Sequence, residues 1–381
     1  MPRPSHRSGA SVLIAAVSAR SLAAAASRAG LTPLTVDFFA DRDTQKIAAK
    51  SLTFDGPMKA GIAQDDLLDK LVRLADAAPS PPIGFLYGSG FETNPDMLEA
   101  IARRWPVLGN AAETVATVKD PARFFETLDA LDIPHPKTQM TRPSSPEGWL
   151  AKRIGGAGGS HVGPATAAHS DGVYYQRQVE GVPASLLFVA NGREITPLGF
   201  SAQWSAPGDR SPWRYGGAVR PADLPEAVEG RMMEAVASLV AAFGVVGLGS
   251  ADFLVASDTA RLLEINPRPG ATLDIFDDAD SPLISFHLDA VTRRKLPSLR
   301  GMSDAAASAV VFATRGVTVP AAFAWPEWAS DIPKPGEHIA KDGPICTVVA
   351  RERTKDQARQ LAETRVRDIM AALSGVQEGF K

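Results

Sequence analysis

The stretch ADFLVASDTARLLEINPRPG, Ala251 to Gly270, decides how this chain is read. Its flanks alternate in character, with Phe253, Val255, Leu263 and Ile265 on one face and Asp252, Glu264 and Asn266 on the other. That is the period-two pattern of two half-buried strands in a hairpin. Register decides whether the acids meet. A loop with an odd number of residues centred on Asp258 sets Asp252 opposite Glu264, whereas a four-residue loop sends them to opposite faces. The odd loop is expected, because a partly buried face carrying two carboxylates and an amide needs a compensating charge, and three hard oxygen ligands suit Mg²⁺. The competing reading is the solvated face of an ordinary hairpin. The residues that follow, Asn266-Pro267-Arg268-Pro269-Gly270, leave the strand abruptly and put an arginine fork beside the presumed ligands, a natural clamp for a phosphoryl group in transit.

At 381 residues and 45% hydrophobic content, the chain can bury a large core and is long enough for two or three domains. A net charge of −3, with acids and bases interspersed, gives no electrostatic footprint for nucleic acid, and no apolar run is long enough to span a membrane. A lone cysteine, Cys346, excludes internal disulfides and fits a reducing cytoplasm; it reads as a small core residue. Arg3 and Arg7 before the apolar run Ser11 to Ala19 imitate a secretory signal, but the run is short. It reads better as a strand, Ser11 to Val17, leading to an alanine-rich helix, Ser21 to Ala29, stopped by Gly30.

With a strand from Leu34 to Phe39 this makes a βαβ unit, continued by a helix from Gln64 to Ala78, a strand from Ile83 to Tyr87 and a helix from Asn94 to Arg104. Alternation of this kind implies a Rossmann-like domain, residues 1–115, with a parallel sheet covered by helices. Its loop Gly88 to Thr93 sits where open α/β sheets bind ligands, although the glycines serve a plain tight turn equally well. A helix from Pro121 to Leu131 and the rigid exit Ile133-Pro134-His135-Pro136 mark entry to a second domain.

Next, the strand Trp149 to Arg153 carries Lys152 into Gly155-Gly156-Ala157-Gly158-Gly159-Ser160-His161. Bare amides in such a loop can close on phosphate oxygens while the lysine supplies charge, though glycine-rich loops also serve as linkers. Val173 to Val179 reads as a strand and Ser185 to Val189 as its return, a routine hairpin unless the turn serves an adenine edge. Helices are expected from Pro225 to Phe243, from Pro282 to about Thr292, and from Lys355 to Leu373.

The glycine loop, the hinge and the acidic hairpin, in this order and at these separations, make the chain similar to ATP-grasp enzymes, most specifically at LLEINPRPG and over most of the length to about residue 292. The resemblance implies the ATP-grasp fold, mixed α/β and α+β, with a lid subdomain at 116–185, a metal and substrate subdomain at 186–305 and a small α+β module at 306–381. ATP and Mg²⁺ are the implied cofactors. By similarity Lys152 contacts the ATP phosphates, Gly158, Gly159 and Ser160 belong to the lid, Gln176, Gln178 and Val179 form the adenine linker, and Leu254 packs on the base. Asp252, Glu264 and Asn266 fall on the family's metal ligands and Arg268 on its phosphate-stabilising arginine.

Three departures stand out. Asp120 is followed by Pro121 where a phosphate lysine is usual, leaving Lys119 as a substitute; no acid near Ala184 and Ser185 matches the ribose contact; and Ser250 replaces an arginine of some peptide-forming members.

The implied activity joins a small-molecule carboxylate to an amine through an acyl phosphate. The loop Gln203 to Gly217, with Trp204, Arg210, Trp213, Arg214 and Tyr215, is a candidate acceptor wall or else a structured surface loop, and His161 in the lid is a further substrate candidate. His135, His169 and His287 show no metal-site spacing. The whole, including Gly343 to Val348, is similar to ligases that build one-carbon coenzymes of the methanofuran and tetrahydromethanopterin kind, tyramine-glutamate ligase among them, which makes glutamate a candidate substrate. The alternatives are a purine-pathway carboxylase of the same superfamily that uses bicarbonate, and a nucleotide-binding protein without turnover. Neither nucleic acid nor membrane is an expected partner, and a homodimer is one assembly the resemblance allows.

Overall fold

The computed structural model describes residues 9–167, 171–209, 211–298 and 302–378. Arg3, Arg7, His169 and Arg210 lie outside the described residues.

The chain begins with β1 (Ser11–Ala15), α1 (Arg20–Arg28), β2 (Thr32–Asp37), α2 (Arg42–Ile47), β3 (Lys50–Thr53), α3 (Gln64–Asp76), β4 (Phe85–Tyr87) and α4 (Asp96–Ala102). These strands form a parallel sheet in the order β3-β2-β1-β4. Its central strand, all buried, carries Val12, Leu13, Ile14 and Ala15, the continuous apolar run of a sheet covered on both faces. After β4, Phe91 plugs the core against Phe85 and Tyr87 and so fixes the loop at the sheet's carboxyl end.

Helices α5 (Ala112–Lys119) and α6 (Pro121–Ala130) follow, the second opened by Asp120, whose carboxylate accepts from the Ala122 amide at 2.9 Å. Then β5 (Thr138–Gln139), β6 (Trp149–Arg153), β7 (Val162–Pro164) and β8 (Val173–Arg177) form a small antiparallel sheet in the order β5-β8-β6-β7. The chain crosses at Gln178–Gly181 into β9 (Val182–Asn191), which lies in a different sheet. The hairpin expected there is therefore a linker between two sheets. Period-two alternation reports a strand's faces and is silent on which sheet it joins.

The second sheet is large. It takes in β9, β10 (Ile195–Ser205) and β11 (Tyr215–Arg220); after α7 (Glu226–Phe243) come β12 (Val246–Ala256) and β13 (Thr259–Asn266). Short α8 (Leu273–Phe276) and α9 (Leu283–Arg293) precede β14 (Ala305–Phe312), β15 (Val317–Thr318), β16 (Ala329–Ser330), β17 (His338–Ile339), β18 (Pro344–Glu352) and α10 (Lys355–Glu378). The order β13-β12-β9-β10-β11-β14-β18-β16 carries the C-terminal strands in the same sheet as the acidic hairpin. One face of this sheet packs Phe188, Phe253, Leu262 and Ile265 against Val228, Met232, Val236 and Leu239 of α7. Cys346 is a buried core residue. No helix among the described residues is long and apolar enough to cross a membrane.

Candidate active site

Asp252 pairs with Glu264 across β12 and β13, but by a different route from the odd loop. The hairpin closes through two residues, Ser257 and Asp258, between the partners Ala256 and Thr259, with Ser257 at φ 51°. Continued regularly, that turn would set Asp252 opposite Leu263. A bulge shifts the register between Asp252 and Phe253, so Phe253 partners Leu262, Asp252 partners Glu264, and Leu263 is the extra residue. The faces differ accordingly: Leu262, not Leu263, joins Phe253 and Val255 in the core, while Leu263 lines the cleft.

That cleft, about 610 Å³, lies between the small sheet, the large sheet and the carboxyl end of the parallel sheet. Lys152 of β6 lines it, its ammonium donating to Gln176 Oε1 of β8 at 2.6 Å. Burial depresses the Lys152 pKa, although Glu264 and Asp252 oppose this. Gln178, Val179 and Leu254 form the wall where the chain crosses between sheets. Gly158 and Gly159 roof it: the Gly158 carbonyl accepts from the Tyr215 amide at 2.9 Å, and a Cβ on Gly159 would lie 1.9 Å from the Trp213 carbonyl oxygen. The loop is thus docked on the start of β11, a close approach that glycine alone permits. Ser160 is turned away, its hydroxyl 3.5 Å from the Ala157 carbonyl, and is absent from the lining.

Lys119, at the end of α5, donates to Glu264 Oε2 at 3.1 Å and to Asn266 Oδ1 at 2.9 Å. The substitute lysine noted in the sequence therefore reaches the hairpin. The Asn266 amide donates to Asp252 Oδ2 at 3.2 Å, and Gln203 of β10 donates to Asp252 Oδ1 at 3.2 Å. Burial and the neighbouring Glu264 push the Asp252 carboxyl up. Burial acts the same way on Glu264, but Lys119, His161 and Lys152 outweigh it and hold that carboxyl down. His161 also lines the cleft, and burial lowers its pKa.

A divalent cation fits this donor set, because two carboxylates and an amide oxygen offer hard ligands and the raised Asp252 marks a shortage of positive charge at its oxygens.

Arg268 is 8% exposed, and its Nε donates to Glu92 Oε1 at 2.7 Å. Glu92 comes from the parallel-sheet domain and escaped the sequence reading, which weighed only the glycines of its loop. Two acceptor-wall candidates part company. Tyr215 lines the cleft with Trp204 and Trp213, whereas Arg214 points into the wall, stacked 3.6 Å from the Phe312 ring centroid and donating to the Asp342 carbonyl at 2.8 Å. Cation–π stacking and a carbonyl satisfy that guanidinium, so it is not available to a substrate carboxylate. Ser185, at the position where the resemblance implies an acid, donates its hydroxyl to the Ala251 carbonyl at 3.2 Å.

A closed glycine loop over a cleft, a crossing between two sheets and a hairpin of oxygen ligands together make the ATP-grasp fold. Residues 118–272 match the ATP-grasp domain family. By sequence, the chain matches no curated protein. Its structure is similar to that of biotin carboxylase from Campylobacter jejuni, solved as a β,γ-ATP complex, with a TM-score of 0.69, 15% identity and coverage of 91% of this chain and 88% of that one. It is also similar to N5-carboxyaminoimidazole ribonucleotide synthetase from Thermotoga maritima, with a TM-score of 0.67, 15% identity and coverage of 94% and 98%. Phosphoribosylglycinamide synthetase from Anaerococcus prevotii gives a TM-score of 0.64, 12% identity and coverage of 93% and 97%.

Proposed function

We propose that the chain is an ATP-dependent carboxylate–amine ligase that forms an amide bond and releases ADP and phosphate. The single observation behind this reading is the convergence of Asp252, Glu264 and Asn266 with Lys152 and Arg268 on one cleft under the glycine loop, with Lys119 bonded to Glu264 and Asn266 beside it. When bound, Mg²⁺ would be held by Asp252, Glu264 and Asn266 and would neutralise phosphate charge. Gln176, Gln178, Val179 and Leu254 would hold the base, while Lys152 and the amides of Gly158 and Gly159 hold the phosphates. A substrate carboxylate oxygen attacks the γ-phosphorus, the bond to the β-phosphate oxygen breaks and ADP leaves, with Arg268 and Lys119 stabilising the transferring charge. The amine then attacks the acyl carbon and phosphate departs, while the docked loop excludes water.

Tyr215, Trp204 and Trp213 supply a flat apolar wall for the acceptor. Glutamate or a similar amino acid, in the making of a one-carbon coenzyme, is the candidate substrate that the sequence resemblance adds. A second reading, bicarbonate phosphorylation followed by carboxylation, draws on the two carboxylating structural neighbours. Adding amino acids and amines in pairs with Mg·ATP, and weighing the product, tests the proposal. ADP release driven by such a pair, with loss of one water from the summed masses, supports the ligase. Release driven only by bicarbonate with an aminoimidazole ribotide overturns it in favour of the carboxylase.

A further inference from the structure

We infer that Glu92 is the positioning residue that aims Arg268 at the transferring phosphoryl group, so that the parallel-sheet domain completes a phosphate site otherwise built from residues 118–272. The inference rests on the ATP-site reading above.

Glu92 is 5% exposed and its carboxylate is held at both oxygens: Oε1 accepts from Arg268 Nε at 2.7 Å and Oε2 from the Gly90 amide at 2.8 Å. The backbone around it is anchored, because Phe91 beside it is fully buried in the aromatic group of Phe85 and Tyr87. The carboxylate thus has one orientation. A guanidinium offers five N–H donors in a rigid plane, and gripping it through Nε fixes where the other four point. Here Nη1 and Nη2 keep only long contacts of 3.4 Å, to the Pro269 carbonyl and to Asn266 Oδ1, and Arg268 lines the cleft. Its strong donors are left for a ligand beside the presumed metal.

The same backbone touches the lid. A Cβ on Gly155 would lie 2.6 Å from the Glu92 carbonyl oxygen, so the base of the glycine loop rests on the residue that aims the arginine. Loop closure and arginine placement therefore share one support.

Pre-aligned donors act on charge that develops in transfer, so removing the aim should cost transfer more than ground-state binding. The test compares wild type with Glu92→Gln and Glu92→Asp, titrating Mg·ADP with and without aluminium fluoride, a mimic of the phosphoryl group in flight. Glu92→Gln keeps the shape and loses the charge; it should bind Mg·ADP within about threefold of wild type and bind the aluminium fluoride complex at least about tenfold more weakly. Glu92→Asp, whose carboxylate is drawn back by one carbon, should fall between them. Equal losses for both ligands, or none, would overturn the positioning role. A Glu92→Gln protein that fails to fold leaves Glu92→Asp to decide by the same ratio. Failure of wild type to bind Mg·ADP would instead overturn the ATP-site reading on which the inference stands.

Discussion

Asp252 and Glu264 face each other across a hairpin whose turn alone would keep them apart, and the one extra residue at Leu263 is what brings them together. A one-residue slip flips every side chain beyond it to the other face. Deleting Leu263 causes no such slip: Glu264 then follows Leu262 directly and stands regularly opposite Asp252, so a folded deletion variant should keep Mg-dependent ADP production. Loss of Mg-dependent ADP production in a folded deletion variant would contradict the register argument.

Lys119 should matter most when nucleotide is absent. Its ammonium is the nearest positive charge to Glu264, whose side chain is 30% exposed. Lys119→Ala leaves that carboxylate without its partner, at a cost of about 1–3 kcal/mol. The expected result is a lowered Tm that saturating Mg·ADP largely restores, with turnover down by about tenfold or more. A Tm matching wild type without ligand would count against the pairing.

Gly159→Ala should separate lid closure from folding. A methyl group there would meet the Trp213 carbonyl oxygen, and φ of 72° disfavours any side chain. The open loop accommodates the change, so Tm should move little while kcat/KM falls by at least about tenfold. Unchanged kcat/KM would mean that the docked loop is not the working state.

Acid should weaken the protein through His287. Its Nδ1 accepts from the Leu248 amide at 2.8 Å and its Nε2 sits 2.8 Å from the Leu108 carbonyl, an arrangement that needs the neutral ring. Burial pulls its pKa down to about 4. A base with a depressed folded pKa adds no penalty above its unfolded value of about 6.5, but below that the unfolded chain gains a proton that the folded chain does not. Stability should thus fall as pH drops from about 6.5 to about 4, then level off in this component. Urea titrations across that window check it: His287→Gln should show a shallower slope by about one proton, and an identical slope would reject the assignment.

Much of the site was legible because its chemistry is local in sequence. Asp252, Glu264 and Asn266 break the apolar alternation of their own strands, and Lys152 runs directly into the glycine loop, so each carries its signal beside it. Glu92 carried none: it meets Arg268 across 176 residues, and a lone glutamate in a turn looks like any solvated acid. The bulge at Leu263 was hidden because a leucine suits either face of a strand. Arg214 misled for the opposite reason: an arginine among aromatic residues reads as an acceptor contact, and its guanidinium instead stacks on the protein's own Phe312. The boundary expected at residue 305 falls at the start of β14, which continues the large sheet; strand pairing of that range leaves no mark on composition.

The central claim is that the hairpin holds the cation of a bound nucleotide. Its most direct measurement is the titration of a non-hydrolysable ATP analogue into wild type and into Asp252→Asn/Glu264→Gln, each with Mg²⁺ and with chelator. Wild type should bind one analogue per chain far more tightly with Mg²⁺, and the double variant should lose that Mg²⁺ dependence while keeping the residual affinity seen in chelator. Equal Mg²⁺ dependence in the two proteins would contradict the account.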